Sequence, residues 1–265
     1  MLLAIEVGNT NIKFGVFERQ GAAAGTLVHT WRSATNSQLT ADDLAASVDG
    51  MLRLNGVSRP AITAIAVASV VPGLYRAIAG MAQRYFNCRP QFLSAARQDL
   101  VPVKTRQASE LGADIIAGAI GAVAKYGAPA IVVQFGTATT VAAVNGRAEF
   151  LGAAIAPGIE VSVNALIARA AKLSSVPLVA PPAAIGVDTT TALQSGIIFG
   201  VIGGVAHLLR LFREEMGVQA QAIATGGLAD LVVPHTDIFA RRDERLVLDA
   251  LYHWATRVQP VGSPS

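Results

Sequence analysis

The chain has 265 residues, 52% of them hydrophobic and only 15% Asp, Glu, Lys or Arg, enough for a large core without covalent staples and apolar enough to predict a surface hidden in a homo-oligomer. A net charge of +3, carried in nothing longer than short pairs such as Arg241-Arg242, excludes the basic stripe of a nucleic-acid binder. One cysteine, Cys88, excludes an internal disulfide framework, and His29, His207, His235 and His253 lie at no metal-ligand spacing, which predicts a reducing compartment and no structural metal.

The opening MLLAIEVGNT places Glu6 inside its apolar run and lacks a positive leader, so no secretion signal and a cytoplasmic location are expected. Residues 2–7 read as a strand, Asn9-Thr10-Asn11 as a turn, and the alternation Ile12, Phe14, Val16 as a second strand. A third strand is predicted at 26–32, a helix at 40–54 with Asp42 and Asp43 in its first turn, a strand at 61–69 and a helix opened by Pro72 and running to about 86.

A helix at 112–126 leads into a repeat: Ile131-Val132-Val133-Gln134-Phe135-Gly136 matches Leu3-Ala4-Ile5-Glu6-Val7-Gly8, and polar turn residues follow both copies. Strands are predicted at 141–144 and 150–155, helices at 159–171 and 189–216, a strand, turn and helix at 222–233, and a closing helix at 244–257. The apolar stretch 195–212 carries His207, Arg210 and four glycines, which predicts a buried helix of a soluble protein and no membrane partner. Two lobes are expected, 1–115 and 116–258, with a disordered tail at 259–265.

A glycine directly after a buried strand lets the backbone turn with main-chain N–H groups and small polar side chains facing outward. Gly8-Asn9-Thr10-Asn11 and Gly136-Thr137-Ala138-Thr139-Thr140 fit that description; either alone is equally an ordinary hairpin, but at equivalent places in a repeat they point to a polyphosphate held from two sides. Thr225-Gly226-Gly227 is a third such turn, readable as a helix start or a close approach to a nucleotide. Neither GxxxxGK[ST] nor GxGxxG after a strand occurs, which excludes P-loop and Rossmann readings.

In order along the chain, Glu6-Val7-Gly8-Asn9-Thr10, Ala68-Ser69-Val70-Val71-Pro72, Gly112-Ala113-Asp114-Ile115, Gln134 to Thr140, Ile155-Ala156-Pro157-Gly158, Ala192-Leu193-Gln194-Ser195-Gly196 and Thr225-Gly226-Gly227 resemble the motifs of the type III pantothenate kinases over about residues 1–257. The resemblance implies an α/β fold of two ribonuclease-H-like lobes, the actin-like ATPase superfold, and ATP-dependent phosphorylation of pantothenate on the way to coenzyme A. It implies Asp114 as general base; Glu6, Gly8, Asn9, Thr10, Lys13, Gly136, Thr137, Ala138, Thr139, Gly226 and Gly227 at the nucleotide; and Gly112, Ala113, Asp114 and Arg106 at the acceptor. It further implies Mg²⁺ near Glu6, a monovalent cation, K⁺ or NH₄⁺, near Gln134, and a homodimer. Taken without the resemblance, Asp114 is equally a charge on a helix N-terminus and Lys13 equally a solvated strand residue.

Three positions depart from the family pattern. Glu6 stands for aspartate and keeps the charge. Ile115 stands for an arginine that pairs with the acceptor carboxylate, and losing such a pair typically costs about 2–5 kcal/mol of binding; Lys104 or Arg106 would then supply the positive charge. Gln134 stands for aspartate and predicts a weak or absent cation dependence. These changes spare the hairpins and leave two alternatives beside the pantothenate kinase: a kinase for another small hydroxylated acceptor, and a nucleotide-binding accessory paralogue.

Overall fold

Leu2–Val7 (β1) is buried at every residue, as a strand covered on both faces must be. Asn11–Phe17 (β2) folds back antiparallel to it, and Leu27–Ala34 (β3) pairs outside β2 with half-buried and exposed residues alternating, the period of a strand with one wet face. Helix α1 (Ala41–Leu54) starts at Thr40: its hydroxyl accepts from the Asp43 N–H while the Asp43 carboxylate accepts from the Thr40 N–H, satisfying two donors a helix start leaves orphaned. Strand β4 (Ala64–Ser69) runs parallel to β1. Helix α2 (Tyr75–Phe86) stops on Asn87 at φ 49°, and the short β5 (Gln91–Phe92) completes a sheet of order β3-β2-β1-β4-β5.

Helix α3 (Ala113–Tyr126) leads into β6 (Ala130–Phe135), β7 (Ala138–Val144), β8 (Phe150–Pro157), α4 (Ile159–Arg169), α5 (Thr189–Met216), β9 (Gln221–Thr225), β10 (Arg241–Arg242) and α6 (Leu246–Arg257). The second sheet has the order β8-β7-β6-β9-β10, with β7 and β8 antiparallel and β9 parallel, so β6 occupies the place of β1. The repeat seen in the sequence is thus a repeat of topology. The structure is a computed structural model and describes residues 1–21, 25–169 and 176–257; the tail expected at 259–265 lies outside the described residues.

The chain divides into two compact units: the first takes Met1–Leu100, Gln107–Ala124 and the chain from Leu246, the second Val101–Arg106 and Lys125–Arg245. The boundary expected at residue 115 therefore moves. Helix α3 stays with the first unit to Ala124, and α6, expected in the second lobe, packs on β1, β2 and β4, where Tyr252 stacks on Phe17 with ring centroids 5.0 Å apart.

Each unit has its own core. In the first, Leu3, Ile5, Ile12 and Phe14 meet Leu44, Val48, Leu52, Ile78 and Met81 from α1 and α2; each large apolar side chain buried this way stabilises by about 1.5–3 kcal/mol. In the second, Ile131, Val133 and Phe135 meet Val205 and Leu209 of α5. The helix expected after Gly227 is absent: two short 3₁₀ turns, Ala229–Leu231 and Val233–His235, stand there, because Pro234 has no N–H to carry a helix on. The expected burial of α5 is also corrected. It is capped by Asp188 and stopped by Gly217 at φ 64°, but its buried residues are only Gln194, Ser195, Ile198, Val205 and Leu209. By length and composition alone it would suffice to cross a membrane; Val205 and Leu209 seat it on the second core, and among the described residues its other apolar face is open.

Candidate active site

In the first unit, Gly8 ends β1 and donates its N–H to the Asn11 carbonyl at 3.0 Å, an oxygen that a Cβ on residue 8 would approach to 3.2 Å. Just past β3, Thr35 fastens the turn: its hydroxyl donates to the Gly8 carbonyl at 2.6 Å and its N–H to the Thr10 carbonyl at 2.9 Å. Asn9, Thr10 and Asn11 are exposed above this anchored backbone. No sequence signal marked Thr35, since a threonine beyond a strand end is commonplace.

The two-residue turn sets Glu6 opposite Lys13, whose Nζ donates to Glu6 Oε2 at 3.2 Å. Lys13 is thus half-buried and paired, not a freely solvated strand residue. Burial pushes the Glu6 carboxyl above its ordinary range; Lys13 opposes this and nearby Asp114 adds to it. Asp114 sits in the first turn of α3, and its Oδ1 accepts from the Ile115 N–H at 2.8 Å. Burial likewise raises its carboxyl, against the N–H groups of Ile115 and of Asp114 itself and the charge of Lys13. A carboxylate pinned at a helix start and inclined to take up a proton has the properties of a general base.

Gly112 leaves room for it. A Cβ on residue 112 would lie 2.6 Å from Asp114 Oδ1. Gly112→Ala is therefore expected to displace the carboxyl and lower kcat about 100-fold, with thermal unfolding unchanged as the check that the fold survives. Val70, from the segment after β4, lies 3.6 Å from the same point and closes the loop's other side.

In the second unit the hairpin between β6 and β7 turns at Thr137, with the Gly136 N–H donating to the Ala138 carbonyl at 3.0 Å. Gly158 lies directly against it: its N–H donates to the Thr137 carbonyl at 3.0 Å, and a Cβ on Gly158 would overlap Gly136 and Thr137 backbone. Gly226, at φ 99°, packs on Phe135, and the Leu228 N–H donates to the Phe135 carbonyl at 3.2 Å. Three sequence motifs far apart in the chain thus meet at one end of β6. Thr137 and Gly227 are exposed there, and Thr139 is buried with a hydroxyl that has no partner among the described residues, a deficit that a phosphate oxygen or an ordered water makes good.

The remaining expected residues stand as follows. Arg106 is exposed in the second unit, whereas Gly112, Ala113 and Asp114 belong to the first. Lys104 is bonded to Glu149 at 3.1 Å, and the Asn145 amide, then Lys104 and Arg147, hold that carboxyl down at about 2. Lys104 is therefore committed to a surface pair. Ile115 is buried in the first unit, and Gln134 lies on β6 between Thr140 and Thr225 on the neighbouring strands.

The model of the type III pantothenate kinase family matches residues 2–211. This chain belongs to the type III pantothenate kinase family. A type III pantothenate kinase of Moorella thermoacetica is 40% identical over 251 residues, 95% of this chain and 97% of that protein. Among solved structures, a Campylobacter jejuni protein described as a Baf family transcriptional activator superposes with TM-score 0.59 at 18% identity over 96% of this chain and 97% of its own. The activator of 2-hydroxyisocaproyl-CoA dehydratase from Clostridium difficile, solved with ADPNP, gives TM-score 0.51 at 11% identity over 99% of both chains. At those identities the two structures speak for the fold alone, which is that of the actin-like ATPases and sugar kinases.

As a member of the pantothenate kinase family, the chain carries both glycine hairpins on well-anchored backbone. The described residues bring together no group of three or more His, Cys, Asp or Glu side chains. They fit a magnesium ion that arrives on ATP and keeps phosphate and water oxygens for ligands, which asks for one or two protein carboxylates at most.

Proposed function

We propose that the chain transfers the γ-phosphoryl group of ATP to the primary hydroxyl of pantothenate, giving ADP and phosphopantothenate, the first step toward coenzyme A. The observation that carries this reading is Asp114: a half-buried carboxylate at a helix start, cleared by Gly112 and acted on by the charge of Lys13. Phosphoryl transfer asks little covalent chemistry of a protein, mainly positioning and charge neutralisation. Asp114 accepts the hydroxyl proton as the oxygen attacks phosphorus; the exposed Asn9 and Thr10 side chains of the same unit, with Lys13, receive phosphate oxygens. Magnesium neutralises phosphate charge when bound.

The enzyme works in the cytoplasm as a homodimer, on a small molecule and with neither nucleic acid nor membrane as partner. Support for the dimer lies in the second unit, where Leu151, Ile155, Val161, Leu166, Ile185 and Val187 are exposed and α5 leaves its glycine-rich face open to a cavity of about 450 Å³.

The test is ADP release by the purified protein with ATP and magnesium, with and without pantothenate. Turnover that needs pantothenate supports the reading; none at any pantothenate concentration supports the accessory role. One observation favours a different acceptor: the side chain beside Asp114, Ile115, gives no cation to a carboxylate. Ile115→Arg is accordingly expected to lower the KM for pantothenate about tenfold or more; an unchanged KM with active enzyme moves the choice to an acceptor without a carboxylate.

A further inference from the structure

Glu6 lies on the sheet face opposite the core that takes Ile5, Val7, Ile12 and Phe14. Of its two cross-strand neighbours, Ala68 on β4 offers no polar side chain and Lys13 on β2 offers an ammonium, which it uses. The turn between β1 and β2 is two residues long, so the register that pairs them has no slack. Asp114, the other charged group that bears on Glu6, also feels Lys13, yet the lysine is hydrogen-bonded to Glu6. One cation therefore serves two carboxylates and is fastened to the one that is not the base. A side chain one methylene shorter at position 6 would draw its carboxylate back from the lysine, so the pair would form only if the Lys13 chain followed it.

We infer that Glu6 is a positioning residue for Lys13: it holds the ammonium beside the β1–β2 turn and away from Asp114, and acts on the reaction through the lysine instead of as a metal ligand. This rests on the reading that Lys13 receives phosphate. Free of Glu6, the ammonium would settle on the Asp114 carboxylate, and both the phosphate contact and the base would suffer together.

A double-mutant cycle tests it. Glu6→Gln, Lys13→Met and the double variant are titrated with a fluorescent ATP analogue in EDTA and in magnesium, with kcat and KM for ATP measured alongside. Lys13→Met is expected to weaken analogue binding about tenfold or more and Glu6→Gln about threefold or more, the double variant being no weaker than Lys13→Met. The magnesium concentration for half-maximal rate should be the same in Glu6→Gln as in the wild type, and Glu6→Asp should bind the analogue as Glu6→Gln does. Because Lys13→Met leaves a buried carboxylate unpaired, thermal unfolding accompanies each arm, and the double variant, without either charge, keeps the comparison interpretable if that one unfolds: it should then bind the analogue about tenfold more weakly than the wild type and show no magnesium shift. Losses that multiply, a shifted magnesium requirement in Glu6→Gln, wild-type behaviour of Glu6→Asp, or a wild type that binds no analogue each overturn the inference. A protein that shows the coupling in binding but makes no phosphopantothenate leaves it standing and removes the proposed acceptor alone.

Discussion

Asp114→Asn is expected to lower kcat by about 100- to 10,000-fold while the KM for ATP stays near the wild-type value. Asparagine has the same shape, and its oxygen can still accept from the Ile115 N–H that holds Asp114 at 2.8 Å; what it cannot do is take the hydroxyl proton. The wild-type rate should fall in acid with a limb displaced upward from the ordinary carboxylate range, since burial raises the Asp114 carboxyl and the base works only when deprotonated. A second consequence follows by linkage. A carboxyl whose folded-state pKa lies above its unfolded value of 3.8 lends stability fully below that pH and loses it as the pH rises through the folded value. At neutral pH the charged Asp114 is therefore a burden on the fold, and the Asp114→Asn protein should melt at the wild-type temperature or above it. The gap should close in acid.

Gly226→Ala is expected to raise the KM for ATP about tenfold or more and to lower the melting temperature by roughly 5–10 °C. Residue 226 has φ 99°, a region that costs a side-chain-bearing residue about 1–3 kcal/mol. The new Cβ would also overlap the Phe135 carbonyl, and backbone, unlike a side chain, has no rotamer by which to yield. Phe135 immediately precedes Gly136, so the displacement passes straight into the hairpin. Gly227→Ala provides the control: nothing lies within 4 Å of a Cβ there, and its melting temperature should match the wild type.

Much of this was legible from local pattern. The matching of residues 131–136 to 3–8 announced a repeat, and two sheets of identical topology bear it out. Asp42 and Asp43 marked the start of α1 because acidic side chains act on the donors of their own first turn. The Glu6–Lys13 pair was readable in principle, since a turn centred between Asn9 and Thr10 sets those residues opposite one another. What escaped were matters of distance in sequence. Nothing in residues 246–257 says that their apolar face belongs on β1, β2 and β4, and nothing near Gly226 says that it must lie on Phe135. The apolar stretch of α5 read as buried because hydropathy reports a preference for burial and not the surface that satisfies it; among the described residues that surface covers one side of the helix. The commitment of Lys104 to Glu149 likewise depended on a strand pairing between residue 103 and β8 that has no local sign.

The most direct measurement is of the product itself. Purified protein incubated with isotopically labelled pantothenate, ATP and magnesium should yield labelled phosphopantothenate by mass spectrometry, one for each ADP formed, with the yield all but abolished in Asp114→Asn. ADP formed without labelled product, or a yield untouched by the loss of Asp114, would contradict the account.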